Sequence, residues 1–219
     1  MIGRPRIFSG PREIAAWLIV LETMAKVWDV LGVAACGWGV YQCFFALPLP
    51  DHLKNGGNFQ FLTNCGVFVS LLYAVYNLLG LPRSRKFHAL VVALEFEITV
   101  AYWYFIFFSP GSINTDSYTV RLIDDLSFHL FPYIYILGKR VPSVSFKQFA
   151  AIAAAGFFGY WAYVEYLVAY CDAIYPYPFL RGQPLVDRAK HFAIFYVVGL
   201  IQWVVETLKS PAATKVKQS

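Results

Sequence analysis

Residues 88–109 read HALVVALEFEITVAYWYFIFFS, and this stretch decides the fold. Its only acidic side chains are Glu95 and Glu97, and His88 stands at its edge. A helix needs ~20 mostly apolar residues to cross the hydrocarbon of a bilayer, so the run is long enough to span. It is bounded on one side by Gly80 to Lys86 (GLPRSRK) and on the other by Ser109-Pro110-Gly111, which break a helix.

The same pattern repeats along the chain and predicts spans over residues 27–48, 59–80, 88–109, 118–138, 148–171 and 190–208. Pro48 and Pro50 lead into Lys54-Asn55-Gly56-Gly57-Asn58, Gly138 to Pro142 (GKRVP) closes the fourth run, and Pro176, Pro178 and Gly182-Gln183-Pro184 lie in the longest loop. The composition agrees. Of 219 residues, 58 % are hydrophobic and 14 % charged, where soluble domains run roughly 45–50 % and about 25 %. The mean hydropathy is +0.53. Disorder is excluded, and so are most nucleic-acid-binding folds, so no nucleic-acid partner is expected. The expected fold is all-α: a polytopic membrane protein of six transmembrane helices.

Basic residues set its orientation. Arg4, Arg6, Arg12 and Lys26 precede the first span, Arg83, Arg85 and Lys86 follow the second, Lys139, Arg140 and Lys147 follow the fourth, and Lys209, Lys215 and Lys217 end the chain. The other side holds Lys54, Arg121, Arg181, Arg188 and Lys190. Because cytosolic loops retain Lys and Arg, both termini are expected in the cytosol. The chain then divides into a cytosolic segment 1–26, a six-helix domain 27–208 and a basic tail 209–219. Within the first segment, Pro11 to Lys26 has only eight consecutive apolar residues, from Ile14 to Leu21, and reads as an interfacial helix. A cleaved signal peptide is the rival, weakened by a poor cleavage site. The ending Lys215-Val216-Lys217-Gln218-Ser219 fits a two-lysine retrieval signal of endoplasmic-reticulum membrane proteins, or an ordinary basic tail.

Polar groups at membrane depth are costly and mark a function or a buried pair. Thr63 lies ~6–8 Å into its span and His129 ~16 Å into another, both counted from the non-cytosolic side. Asp125 is four residues before His129 and shares its helix face, whereas Asp124 points ~100° away. A carboxylate there fixes the imidazole tautomer and frees the other nitrogen to act as a base. Threonine is a weak nucleophile that needs such a base. Asn58 is a candidate cap for the Thr63 helix, whose first amides would face a developing oxyanion. Glu165 is placed near the same end, and these groups are expected to converge in a cavity; Glu95 and Glu97 lie deeper. The plainer alternatives are a structural Asp125–His129 ion pair and a Thr63 hydroxyl bonded to its own helix carbonyls. His191 and the many Tyr and Trp residues, Tyr175 and Tyr177 among them, read as interfacial anchors or packing.

Cys36, Cys43, Cys65 and Cys171 lack metal-ligand spacing. Phosphate loops, nucleophile elbows and His-Glu-x-x-His are missing, so no cofactor or metal is expected.

With Gly56-Gly57 leading to Phe61-Leu62-Thr63, His129 shortly before Pro132, and Tyr175-Pro176-Tyr177-Pro178-Phe179-Leu180 after the fifth span, residues 30–208 resemble the androgen-induced and androgen-dependent TFPI-regulating protein family. That resemblance implies an integral-membrane hydrolase of fatty acid esters of hydroxy fatty acids, drawing lipid substrate from the bilayer. It implies Thr63 as nucleophile and His129 as its base; Asp125 as the orienting carboxylate comes from spacing alone. The competing classes are a non-catalytic scaffold or lipid-handling protein, and a small transporter relaying protons through Glu95, Glu97, Asp124 and Asp125. Neither oligomeric state nor acyl-chain preference is legible.

Overall fold

A computed structural model describes residues 11–109 and 121–209. The N-terminal arginines Arg4 and Arg6, the first residues of the 118–138 span and the two-lysine ending lie outside the described residues.

All described secondary structure is helical. Helix α1 runs Pro11–Tyr41 and continues as a π-helical turn, Gln42–Ala46. Two 3₁₀ turns, Asp51–Gly56 and Asn58–Gln60, lead to α2, Leu62–Leu78. There follow α3, Arg85–Phe108; α4, Leu122–His129; α5, Phe131–Leu137; α6, Phe146–Tyr170; a 3₁₀ turn, Pro178–Leu180; and α7, Leu185–Lys209. Among the described residues, α3, α6 and α7 are long and apolar enough to cross a bilayer; α2 is apolar but shorter.

Local chemistry explains the ends. Ser84 caps α3, its hydroxyl accepting from the Phe87 amide at 3.2 Å. Ser145 and Gln148 form a reciprocal capping box on α6. Two sequence expectations change in detail. The predicted interfacial helix and the first span are one continuous helix, and its polar interruption is bridged by an exposed Glu22–Lys26 pair one turn apart, 3.0 Å. The predicted fourth span is two helices among the described residues. Pro132 has no amide to donate to Phe128 and its ring would strike that carbonyl in a continuous helix. The chain therefore turns at Leu130 (φ −141°, ψ −50°) and restarts with Pro132 in the first turn, where no donor is needed.

Helix α3 is the axis of the bundle, packed by α2, α5, α6 and α7. Val91, Val92, Ala93 and Leu94 meet Ala74, Ile136, Phe149, Ala153 and Phe157 in the main core. Close approach needs small residues: a Cβ on Gly66 would stand 2.2 Å from Ile98 of α3. The outside is apolar too, with Trp17, Ile19, Met24, Phe107, Phe108 and Leu208 exposed, as expected of helices solvated by lipid.

Candidate active site

The loop before α2 is built to hold the start of that helix. Gly57 adopts φ 65°, a left-handed turn that a side chain would strain. Gln60 is buried, and its amide donates to the carbonyls of Leu53 (2.6 Å) and Gly57 (2.8 Å). Asn64 donates to the Asn58 carbonyl at 2.9 Å. Asn58 is therefore no cap: it sits in the preceding 3₁₀ turn, and the N-cap position is Phe61, extended and without a side-chain cap. The Leu62 amide instead donates to the phenol oxygen of Tyr177, from the loop between α6 and α7, at 2.9 Å. Thr63 is thus the second residue of a helix whose first turn is held by tertiary contacts.

Helix α4 presents two adjacent carboxylates to different neighbours. Asp124 is 2 % exposed and accepts from Arg121 (2.7 and 3.2 Å) and from the Trp38 indole (3.0 Å), which ties α4 to α1. Asp125, one residue on, faces His129. The His129 Nδ1 lies 3.0 Å from Asp125 Oδ1 and 3.1 Å from the Asp125 backbone carbonyl. A carbonyl oxygen only accepts, so Nδ1 carries the proton and Nε2 is left as the acceptor. Nε2 stands 3.4 Å from Thr63 Oγ1. That is roughly 0.5 Å longer than a good hydrogen bond, a looseness common in substrate-free sites. The imidazole also stacks flat on Tyr102 of α3, centroids 3.4 Å apart and planes 2° off parallel. Ring tilt and tautomer are therefore both held.

Thr63 and His129 open on a cavity of about 380 Å³, lined also by Asn64, Asp125, Phe128, Tyr102 and Tyr177 and walled by Leu47 to Pro50. A smaller chamber of about 60 Å³ also reaches Thr63 and is lined by Ile98, Phe105, Tyr160 and Phe179, with Glu97 in its wall. Thr63, Tyr102 and Tyr177 line both. A hydroxyl, a nitrogen base and a carboxylate in line beside an apolar cavity are what acyl transfer needs.

The expected convergence holds for Thr63, His129 and Asp125 and stops there. Glu165 is bound elsewhere, by Arg188 (2.7 and 2.9 Å), Trp161 (2.9 Å) and Tyr175 (2.9 Å). Glu95 is fully buried and takes the Ser70 hydroxyl at 2.6 Å. His191 bonds Gln183 at 3.1 Å. Thr63 is matched to His129 and not to a carbonyl of its own helix. Among the described residues no three His, Cys, Asp or Glu side chains group as ligands for a metal ion. Sequence reasoning missed Tyr102 and took Tyr177 for an interfacial anchor or packing. The one available signal was the proline on each side of Tyr177, which fixes that segment's course.

A family profile described as FAR-17a/AIG1-like protein matches residues 30–209. The UPF0641 membrane protein YHR140W of Saccharomyces cerevisiae is 26 % identical, the match covering 76 % of this chain and 80 % of the yeast protein. No solved structure matches the chain.

Proposed function

Since the chain belongs to the FAR-17a/AIG1-like family, we propose that this membrane protein is an intramembrane ester hydrolase with Thr63 as nucleophile. Its substrates are lipid esters entering from the bilayer, of the class in which a fatty acid esterifies the hydroxyl of a hydroxy fatty acid. Six crossings (α1, α2, α3, α4 with α5, α6 and α7), cytosolic termini and residence in the endoplasmic reticulum complete the proposal. The alternation of basic loops supports the orientation.

One observation carries the chemistry: the line from Asp125 through His129 to the Thr63 hydroxyl, ending in a cavity. His129 Nε2 takes the Thr63 proton as Oγ1 attacks the ester carbonyl. Asp125 and its own carbonyl hold the imidazolium that forms. Collapse expels the alcohol, which receives the proton from His129. Water, deprotonated by the same nitrogen, then frees the fatty acid from Thr63.

The first test is fluorophosphonate labelling of purified wild-type protein, Thr63→Ala and His129→Ala, with matching thermal melts. Labelling of wild type alone is the expected result. Loss in Thr63→Ala only would keep the nucleophile and reopen the search for the base. A wild-type protein that takes no label would overturn the hydrolase reading in favour of a scaffold in which Asp125 and His129 form a structural pair.

A further inference from the structure

The proposed reaction puts negative charge on the ester carbonyl oxygen, and the groups that receive it are not yet assigned. The most suitable donor lies on the loop joining α6 to α7. The Tyr177 oxygen accepts the Leu62 amide at 2.9 Å. A phenol has one proton, and an oxygen that is accepting still has that proton to give. Tyr160, its neighbour in the smaller chamber, is committed to the Gln60 carbonyl. The Tyr160 oxygen is the polar group beside the Tyr177 hydroxyl, and the Tyr177 ring lines both of the spaces that reach Thr63. In the same turn of α2, the Thr63 amide joins the Leu62 amide at the Tyr177 oxygen, and the Asn64 amide has no backbone acceptor among the described residues.

The Tyr177 ring is held. It stacks on Phe179 (5.6 Å, 15°) and meets Phe61 edge-on (6.1 Å, 86°). Pro176 and Pro178 flank it, and Arg181 donates to the Tyr175 carbonyl at 2.9 Å. The Glu165–Arg188 pair, with Arg188 over the Tyr175 ring at 4.6 Å, fastens the loop to α6 and α7. Burial pushes the Tyr177 phenol up to about 12, so it keeps its proton at neutral pH. A protonated phenol on a fixed ring is the kind of donor that stabilises a developing oxyanion, and only its O–H turns, from Tyr160 to the substrate, when the charge appears.

We propose that Tyr177 is a catalytic residue that donates its phenol hydrogen bond to the carbonyl oxygen of the ester attacked by Thr63. This rests on the hydrolase reading. As Thr63 Oγ1 bonds to the carbonyl carbon, the π pair moves onto oxygen and the Thr63 proton passes to His129. The oxyanion accepts from Tyr177, which keeps its proton. Collapse re-forms the carbonyl, breaks the bond to the alcohol oxygen and returns the proton from His129 to that oxygen. The acyl-threonine then reacts with water by the same sequence.

The experiment compares full-length wild-type protein with Tyr177→Phe and with 3-fluorotyrosine incorporated at 177, using a medium-chain p-nitrophenyl ester. Tyr177→Phe is expected to lose ~10²–10³-fold in kcat, the usual cost of one oxyanion donor, with KM within about twofold, since the contact forms only in the transition state. The fluorinated residue keeps the acceptor for Leu62 and is a stronger donor, so its kcat is expected to exceed wild type at neutral pH. An active wild type with equal kcat in both variants overturns the role of Tyr177 alone. If Tyr177→Phe fails to fold, an unchanged kcat in the fluorotyrosine protein overturns it. An inactive wild type overturns the hydrolase reading with it.

Discussion

His88 and His129 are both buried, 3 % and 8 % exposed, and both ring nitrogens of each meet a polar partner. His88 of α3 bonds Tyr73 (2.8 Å) at Nδ1 and Glu206 (2.9 Å) at Nε2. Glu206 is held by Gln202 (3.1 Å) and Lys209 (2.7 Å), and Gln202 in turn accepts from Tyr133 (2.9 Å). Asp29 nearby takes Tyr135 and Lys139. The partners belong to α1, α2, α5 and α7, so the network fastens one end of the bundle, and His88 lines neither of the cavities beside Thr63. His129 meets Asp125 through both its carboxylate and its carbonyl. Its remaining partner is a threonine hydroxyl at a long 3.4 Å, beside a cavity. Burial and hydrogen bonding are common to the two. What separates them is whether the last partner can be exchanged for a substrate.

Removing the Thr63 hydroxyl presses hardest on this contrast. Thr63→Ala is expected to lower ester hydrolysis by at least about 10³-fold, the scale at which a nucleophile is lost and only binding and charge stabilisation remain. Its melting temperature should stay within a few degrees of wild type. His88→Ala is expected to do the opposite. Glu206 keeps Lys209 and Gln202 but loses the His88 partner, and a hydrogen bond to a charged group is worth about 1.5–3 kcal/mol, seen as a lower unfolding temperature in detergent, while kcat per folded molecule holds. Loss of turnover without loss of stability in His88→Ala would break the division. Asp125→Asn sharpens it: the Asp125 carbonyl still accepts from Nδ1, so the tautomer survives and kcat should fall only ~10²-fold, near the low end for acid–base catalysis. Smallest is Tyr102→Leu, which removes the stacked face of the imidazole. At ~0.5–1.5 kcal/mol for an aromatic pair, kcat should drop by about tenfold or less, with KM little changed.

The apolar runs and their breaks were legible because a bilayer demands long uninterrupted helices. The pairing of Asp125 with His129 was legible from helix arithmetic, since residues four apart share a face; that Thr63 meets them was implied by the family resemblance and not by depth. Tyr102 was not legible: with 19 % aromatic residues, nothing local distinguishes a ring that holds an imidazole from one that packs against lipid, and Tyr177 was marked only by its flanking prolines. Glu165 was misjudged because depth says nothing of azimuth, and Arg188, 23 residues away, claims it. The joined first helix was hidden because Glu22 and Lys26 look like a boundary in one dimension and become a bridge once coiled.

The break at Leu130 has a consequence for how such chains diverge. In an unbroken helix, inserting or deleting a residue turns everything beyond it by ~100°, and the two faces of the span lose their partners together. Here His129 is the last residue of α4, tied through Asp124 to Arg121 and Trp38, while α5 restarts with its own phase. The joint acts as a universal coupling between two shafts. A residue added or removed at the joint turns α5 while leaving His129 on its own anchored helix.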